Sequence, residues 1–243
     1  MAQSFFIWNG KDSRRMGIIK RGPSPIIRPE ERVKHIEIPG RSGDLTHTEG
    51  ENIYNSYIQT ATISVKGGFR VRDVYKWLRG SGYVTFDCEP DRRQKARIIG
   101  AITLDKVSRN MDHWAGEVQF YCQPLKELLA EEKVTITAHG QTAFNAGDVT
   151  SRPMFKVVAS AYALTFALTG NGTQGQNAIG VSGLTSGQVI WIDSETMEVM
   201  NEARTELLTA DSMGVFPVMV PGENLITGIG WSSIEIERRE RFL

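Results

Sequence analysis

The alternation of apolar and polar positions makes the first half of the chain mostly strand. Tyr57 to Lys66 is the longest such run, with Tyr57, Gln59, Ala61, Ile63 and Val65 on one side and Ile58, Thr60, Thr62 and Ser64 on the other. Ser4 to Trp8 (SFFIW) predicts a shorter strand. Asn9-Gly10-Lys11-Asp12 follows as a tight turn, because Asn-Gly accepts positive φ, and Met16 to Ile19 is the expected partner strand. Ile36 and Ile38 alternate with His35 and Glu37 in a short strand that Pro39-Gly40 stops. The segment around it, Ile36 to Gly50, reads as the stretch the rest of the chain is organised around. Further strands are predicted at Tyr83–Asp87, Ala96–Leu104 and Trp114–Cys122. The period changes once, over Arg70 to Arg79. There Val71, Val74, Tyr75 and Leu78 fall at i, i+3, i+4 and i+7, the stripe of a short helix that Gly80 ends. Trp77 lies off that stripe, with core packing or contact with another subunit as its alternatives.

Between these elements, Pro23, Pro25 and Pro29 favour an extended surface segment over Arg21–Arg32. Gln123-Pro124 is expected to end the last strand, and LKELLAEEK reads as a short helical or irregular connector. The domain boundary is placed there, giving units 1–130 and 131–243. Beyond it, runs rich in Val, Ile, Thr and Gly recur at the spacing of an antiparallel sandwich of about eight strands. Asn171-Gly172 and Pro221-Gly222-Glu223-Asn224 read as tight reversals between paired strands.

Composition changes this picture little. The formal net charge is zero, but residues 1–130 carry 21 Lys and Arg against 15 Asp and Glu, and residues 131–243 carry 7 against 13. The halves therefore stand at +6 and −6, an asymmetry that suggests different partners and is too diffuse to mark a phosphate-binding surface. No run of about 18 apolar residues offers a membrane anchor. MAQSFFIWNGKD has no basic segment before its short apolar run, so it reads as part of the mature protein rather than a secretory signal. Cys88 and Cys122 have neither CxxC spacing nor a neighbouring His pair, so free buried thiols are expected.

Catalytic constellations are missing from the sequence. His35, His47, His113 and His139 show no ligand spacing, and no G-x-S-x-G elbow surrounds Ser42 or Ser81. Asp193 and Glu195, two residues apart in WIDSE, read as a solvated turn rather than a glycosidase pair. Gly170 to Gln176 resembles a phosphate loop in composition only. No enzyme activity, metal or cofactor is expected. Trp191 and Trp231 offer possible sugar-stacking faces, although Trp191 sits in the apolar run VIWID that reads as core.

Five cues stand in one order: the aromatic strand ending in Asn-Gly (Phe5 to Gly10), IPGRSGDL, the helix ending W-L-R-G (Trp77 to Gly80), FDCEP (Phe86 to Pro90) and FYCQP (Phe120 to Pro124). Together they resemble the distal tail proteins of long-tailed, non-contractile bacteriophages. That resemblance implies a mostly β chain: an N-terminal split-barrel or tube-like domain with one short helix, then a sandwich like those of galectins or carbohydrate-binding modules. It further implies a homo-hexameric ring at the virion's tail tip, assembled in the host bacterial cytoplasm. The ring would join the tail tube protein to a tail-fibre or tail-associated lysin hub, with DNA passing through its lumen without specific contacts. The family's motif positions fall on Pro39, Gly40, Arg41, Gly43, Trp77, Leu78 and Gly80, and no catalytic residue is carried over. Arg41 or Asp44 is the expected ion-pairing group at a joint between subunits, and the Arg21–Arg32 segment an arm able to reach a neighbour. The alternative function is a lectin-like second domain that binds carbohydrate on the host cell.

Overall fold

The computed structural model describes residues 4–48, 50, 52–108, 111–170 and 177–243. It forms two compact units, Met1–Leu129 with Leu243, and Ala130–Phe242. The fold is mostly β, with one α-helix among the described residues. In the first unit the strands are β1 (Phe6–Trp8), β2 (Lys11–Asp12), β3 (Ile18–Lys20), β4 (Val33–Ile36), β5 (Leu45–Thr48), β6 (Tyr57–Val65), β7 (Ser81–Phe86), β8 (Arg92–Ile99), β9 (Leu104–Ser108) and β10 (Met111–Leu128). Helix α1 spans Val71–Trp77. The main sheet runs β2-β1-β7-β8-β10-β6-β3, antiparallel throughout, with β9 also paired to β10.

Local chemistry explains where these elements depart from the sequence expectations. Trp8 stands opposite Lys11, so Asn9-Gly10 (φ 49° and 75°) is a two-residue hairpin turn. The partner of β1 is thus β2 rather than Met16–Ile19. Ser13–Met16 is instead a 3-10 turn capped by the Asp12 carboxylate, which accepts from Arg14 N, and β3 pairs with β6. The strand expected over Ala96–Leu104 is split: β8 begins earlier and stops at Ile99, Gly100 takes φ +70°, and β9 starts at Leu104. Pro124 does not end β10. The register shifts between Cys122 and Lys126, which lies opposite Gln94, so a bulge absorbs the proline's missing N–H and the ladder resumes. The expected connector is therefore strand as far as Leu128.

One face of this sheet carries the core. Phe6, Trp8, Ile63, Val65, Val118 and Phe120 are fully buried. The Phe120 ring meets Phe6, Trp8 and Phe86 at centroid distances of 5.3, 5.6 and 5.6 Å. Helix α1 adds Val74 and Leu78 to the same cluster. At about 100° per residue, Tyr75 and Trp77 flank that pair on opposite sides. Trp77 faces β1, where it stacks on Phe6 (5.7 Å, 5° between planes) and its Nε1–H donates to Trp8 O at 3.3 Å. Tyr75, expected on the buried stripe, is exposed.

The second unit holds β11 (Val134–Ile136), β12 (Thr142–Asn145), β13 (Met154–Ala159), β14 (Leu164–Gly170), β15 (Ala178–Val181), β16 (Val189–Asp193), β17 (Glu198–Asn201), β18 (Ser212–Gly214), β19 (Gly222–Ile229) and β20 (Trp231–Glu237). They make two five-stranded sheets, β11-β20-β13-β16-β17 and β12-β19-β14-β15-β18. Inward residues of both sheets form one core, with Phe155 of the first edge-to-face on Phe166 of the second at 5.0 Å. This is a β-sandwich. Asn171-Gly172 and the loop-like run after Gly170 lie outside the described residues. Pro221-Gly222 leads into β19 without joining two paired strands. Asn224 explains the tight bend, since its side chain accepts from Val220 N and donates to Val220 O and Gly222 O.

Candidate assembly interface

The segment singled out by sequence forms a hairpin of its own. β4 and β5 pair antiparallel, Val33 opposite Thr48 and Ile36 opposite Leu45, in a two-stranded sheet separate from the main one. The strand lies a little earlier than the expected His35–Ile38, because Pro39 has no donor to extend the ladder. Pro39, Gly40, Arg41, Gly43 and Asp44 all lie exposed in the loop between the strands. Gly40 and Gly43 take φ +82° and +80°, and Arg41 N donates to Ile38 O at 3.1 Å. The local Arg41–Asp44 ion pair is not formed among the described residues. Beside that loop Ile36, Ile38 and Leu45 are also exposed. A two-stranded hairpin is marginal in water on its own, and this one leaves an Ile–Leu cross-strand pair exposed at its tip.

The hairpin's base is tied down. Arg32 N donates to Ile53 O and Asn55 N to Glu30 O, at 2.9 and 2.8 Å. The proline segment before it is also held by its own unit rather than free to swing out. Ser24 donates to Asp87 Oδ1 through both N–H (3.1 Å) and Oγ–H (2.5 Å), Lys20 Nζ stands 3.3 Å from the same oxygen, and Gln59 Nε2 donates to Pro25 O. Burial alone would raise the Asp87 carboxyl. The Ser24 hydrogen bonds and the Lys20 charge outweigh it and hold the group below the usual carboxylate range.

Elsewhere the candidate chemistry proves structural. Asp193 is not a solvated turn residue: it is buried and receives both Arg239 Nη atoms at 2.8 and 2.9 Å, plus Glu195 N at 2.8 Å. Glu195 lies within 3.5 Å of Arg239 and 3.2 Å of Arg241. Both carboxylates of this pair are thus engaged by guanidiniums. Trp191 is not core. It points outward from β16, with the Arg204 guanidinium 3.7 Å over its ring and Nε1–H donating to Glu202 O. Trp231 packs against the sandwich core. The Trp191 ring face is thus covered by a guanidinium. His139 Nδ1 accepts from Gly228 N, and no group of three or more His, Cys, Asp or Glu among the described residues is placed to hold a metal ion. Cys88 and Cys122 are free, the second buried and its thiol pushed up to about 12 by burial.

Comparison with solved structures decides the fold. The chain matches the crystal structure of the SPP1 Dit protein, described as a paradigm of the hub adsorption apparatus in phages infecting Gram-positive hosts. The match covers 100% of both chains at a TM-score of 0.76 and 17% identity. This chain has the Dit fold. No known protein-family profile matches the sequence, and no curated protein matches it. At 17% identity it is the architecture that is shared. The five sequence cues fall on β1 and its turn, the β4–β5 loop, the end of α1, the turn after β7, and β10.

Proposed function

We propose that this protein is a structural adaptor of a bacteriophage tail tip, the SPP1 Dit protein whose fold it shares being described as a paradigm of a hub adsorption apparatus. The single observation that carries the reading is the end-to-end fold match, which includes both units in order. In this reading the first unit closes into a six-fold ring between the tail tube and the fibre or lysin hub, and DNA passes through the lumen.

The β4–β5 hairpin tip is the proposed joint. Burying the exposed parts of Ile36, Ile38 and Leu45 against a neighbour would contribute roughly 2–4 kcal/mol per contact. Arg41 and Asp44, unpaired with one another, are then available to ions across the joint, where desolvation strengthens the interaction. Pro39, Gly40 and Gly43 set the loop's bend. Trp77 is occupied inside its own unit and supports the joint only by fixing α1 on β1.

Negative-stain microscopy of the purified chain at high concentration tests this directly. Six-fold rings are expected, and Ile36→Asp with Leu45→Asp should abolish them while circular dichroism stays unchanged. Wild-type chain that shows no rings at any concentration, together with gene-deleted phage that still build tails, would overturn the adaptor reading.

A further inference from the structure

We propose that the outward face of the first unit's sheet binds the acidic hairpin tip, residues 201–207, of a second copy of this chain. The two surfaces differ in sign and match in kind.

The basic surface is built by strand register. Ser81 stands opposite Arg97, Arg97 opposite Tyr121, and Tyr121 opposite Ile58, so these four form one row across β7, β8, β10 and β6. Tyr83 and Lys95 form the neighbouring row. Side chains directly opposite in an antiparallel ladder share a face, and the intervening Gln94 and Ala96 are buried on the other side. Arg93 on the same face is already engaged, by Glu127 at 3.3 Å and by the Tyr83 ring at 4.5 Å. Lys95 and Arg97 are exposed and have no carboxylate partner among the described residues. Two unpaired cations flanked by tyrosines, with Ile58 half exposed, make a face suited to carboxylates and an aliphatic side chain.

Residues 201–207 carry those groups. Asn201 Oδ1 accepts from Thr205 N at 3.0 Å, and Met200 bridges to Leu207, so the tip beyond β17 is a closed, prominent turn. Glu202 and Glu206 are exposed without an ion pair among the described residues, and Leu207 is 62% exposed. The one cation of the tip, Arg204, lies on the Trp191 ring. The +6 and −6 balance of the two halves favours the same pairing over long range.

The basic surface spans about 15 by 13 Å from strand spacing and rise, or roughly 200 Å². That is well below the roughly 800 Å² per partner of a stable pair, so a single contact is weak and salt-sensitive. It gains weight where copies are already held side by side, because the second contact is then intramolecular. The contact does not involve Arg41 and stands apart from the hairpin joint.

Sedimentation velocity of the full chain over a concentration series at low and high salt tests it. Wild type should associate at low salt and lose roughly tenfold in association constant at high salt, as exposed charges are screened. Lys95→Glu with Arg97→Glu should weaken low-salt association by about tenfold, and Glu202→Lys with Glu206→Lys should do the same. All four changes together should restore it. The proposal is overturned if the combined variant associates no better than either pair, or if wild type shows no concentration-dependent association. It is also overturned if wild type and Lys95→Glu/Arg97→Glu associate alike, even when both form rings, a result that leaves the ring reading intact. Salt-dependent binding of a duplex DNA probe that those two substitutions abolish, without self-association, would assign the face to nucleic acid instead.

Discussion

Replacing Asp193 should loosen the turn that follows β16 in the sandwich. Its side chain is 7% exposed and pairs with an Arg239 guanidinium that is 23% exposed. It also accepts from Glu195 N and Thr196 N, which closes the turn after β16. Removing one member of a fully buried pair costs about 3–5 kcal/mol. Here Arg239 keeps some access to water and a second partner in Glu195 at 3.5 Å, which lowers the figure. Two backbone donors lose their acceptor, which restores part of it, so Asp193→Ala should cost about 2–4 kcal/mol. Asp193→Asn keeps an oxygen for the turn but loses the charge and sets an NH2 donor against Arg239 Nη2, and should cost less than Asp193→Ala, about 1–3 kcal/mol. Calorimetry that resolves the second unit's transition measures both, with an expected fall of roughly 10 °C for Asp193→Ala. The pH dependence fixes the sign. Although burial alone would raise it, Arg239 and the turn N–H groups hold the Asp193 carboxyl below the usual range. Its stabilisation is therefore fully present above the unfolded value, near pH 4, and lost as pH falls through the lower folded value. A gap between wild type and Asp193→Asn that stays constant down to about pH 2.5, or a cost for Asp193→Ala under about 0.5 kcal/mol, would refute the clamp.

Three further outcomes follow from the first unit. Trp77→Ala removes the stack on Phe6 and the bond to Trp8 O, and should cost about 3–4 kcal/mol by denaturant titration, with Trp77→Phe in between. Asp87→Ala leaves the buried Lys20 cation with Gly22 O but no counter-charge and frees Ser24, so it should destabilise by about 2–3 kcal/mol. Limited proteolysis in the Arg21–Arg32 segment should accelerate in the same variant. Cys122, with its thiol pushed up to about 12, should resist iodoacetamide at pH 8 in the native chain and react after unfolding, which mass spectrometry resolves.

What the sequence showed and what it hid divide along the range of the interactions. β6 was legible because Gln59, Ala61, Ile63 and Val65 are buried at every second position, although Ser64 on the other face is buried as well. The Asn9-Gly10 turn was legible because its chemistry is local, whereas its partner strand was not: choosing β2 over Met16–Ile19 depends on Asp12 capping the following turn. Trp77 and Tyr75 flank the same two helix residues, so only the position of β1 decides which of them is buried. Pro124 misled for a related reason. A proline forbids one ladder bond, but the long pairing of β10 with β8 and β6 tolerates a bulge and continues. At the candidate interface, the exposed loop carrying Pro39, Gly40, Arg41, Gly43 and Asp44 could be read directly. The apolar pair beside it, Ile36 opposite Leu45, became visible only once the register was known, because residues nine positions apart meet only through the hairpin. Lys95, Arg97 and Tyr121 were hidden in the same way, since neighbouring rows across paired strands have no signature along the chain. Surface rows are assembled by register in this fold, so their residues are scattered in sequence even where every strand that carries them is recognisable.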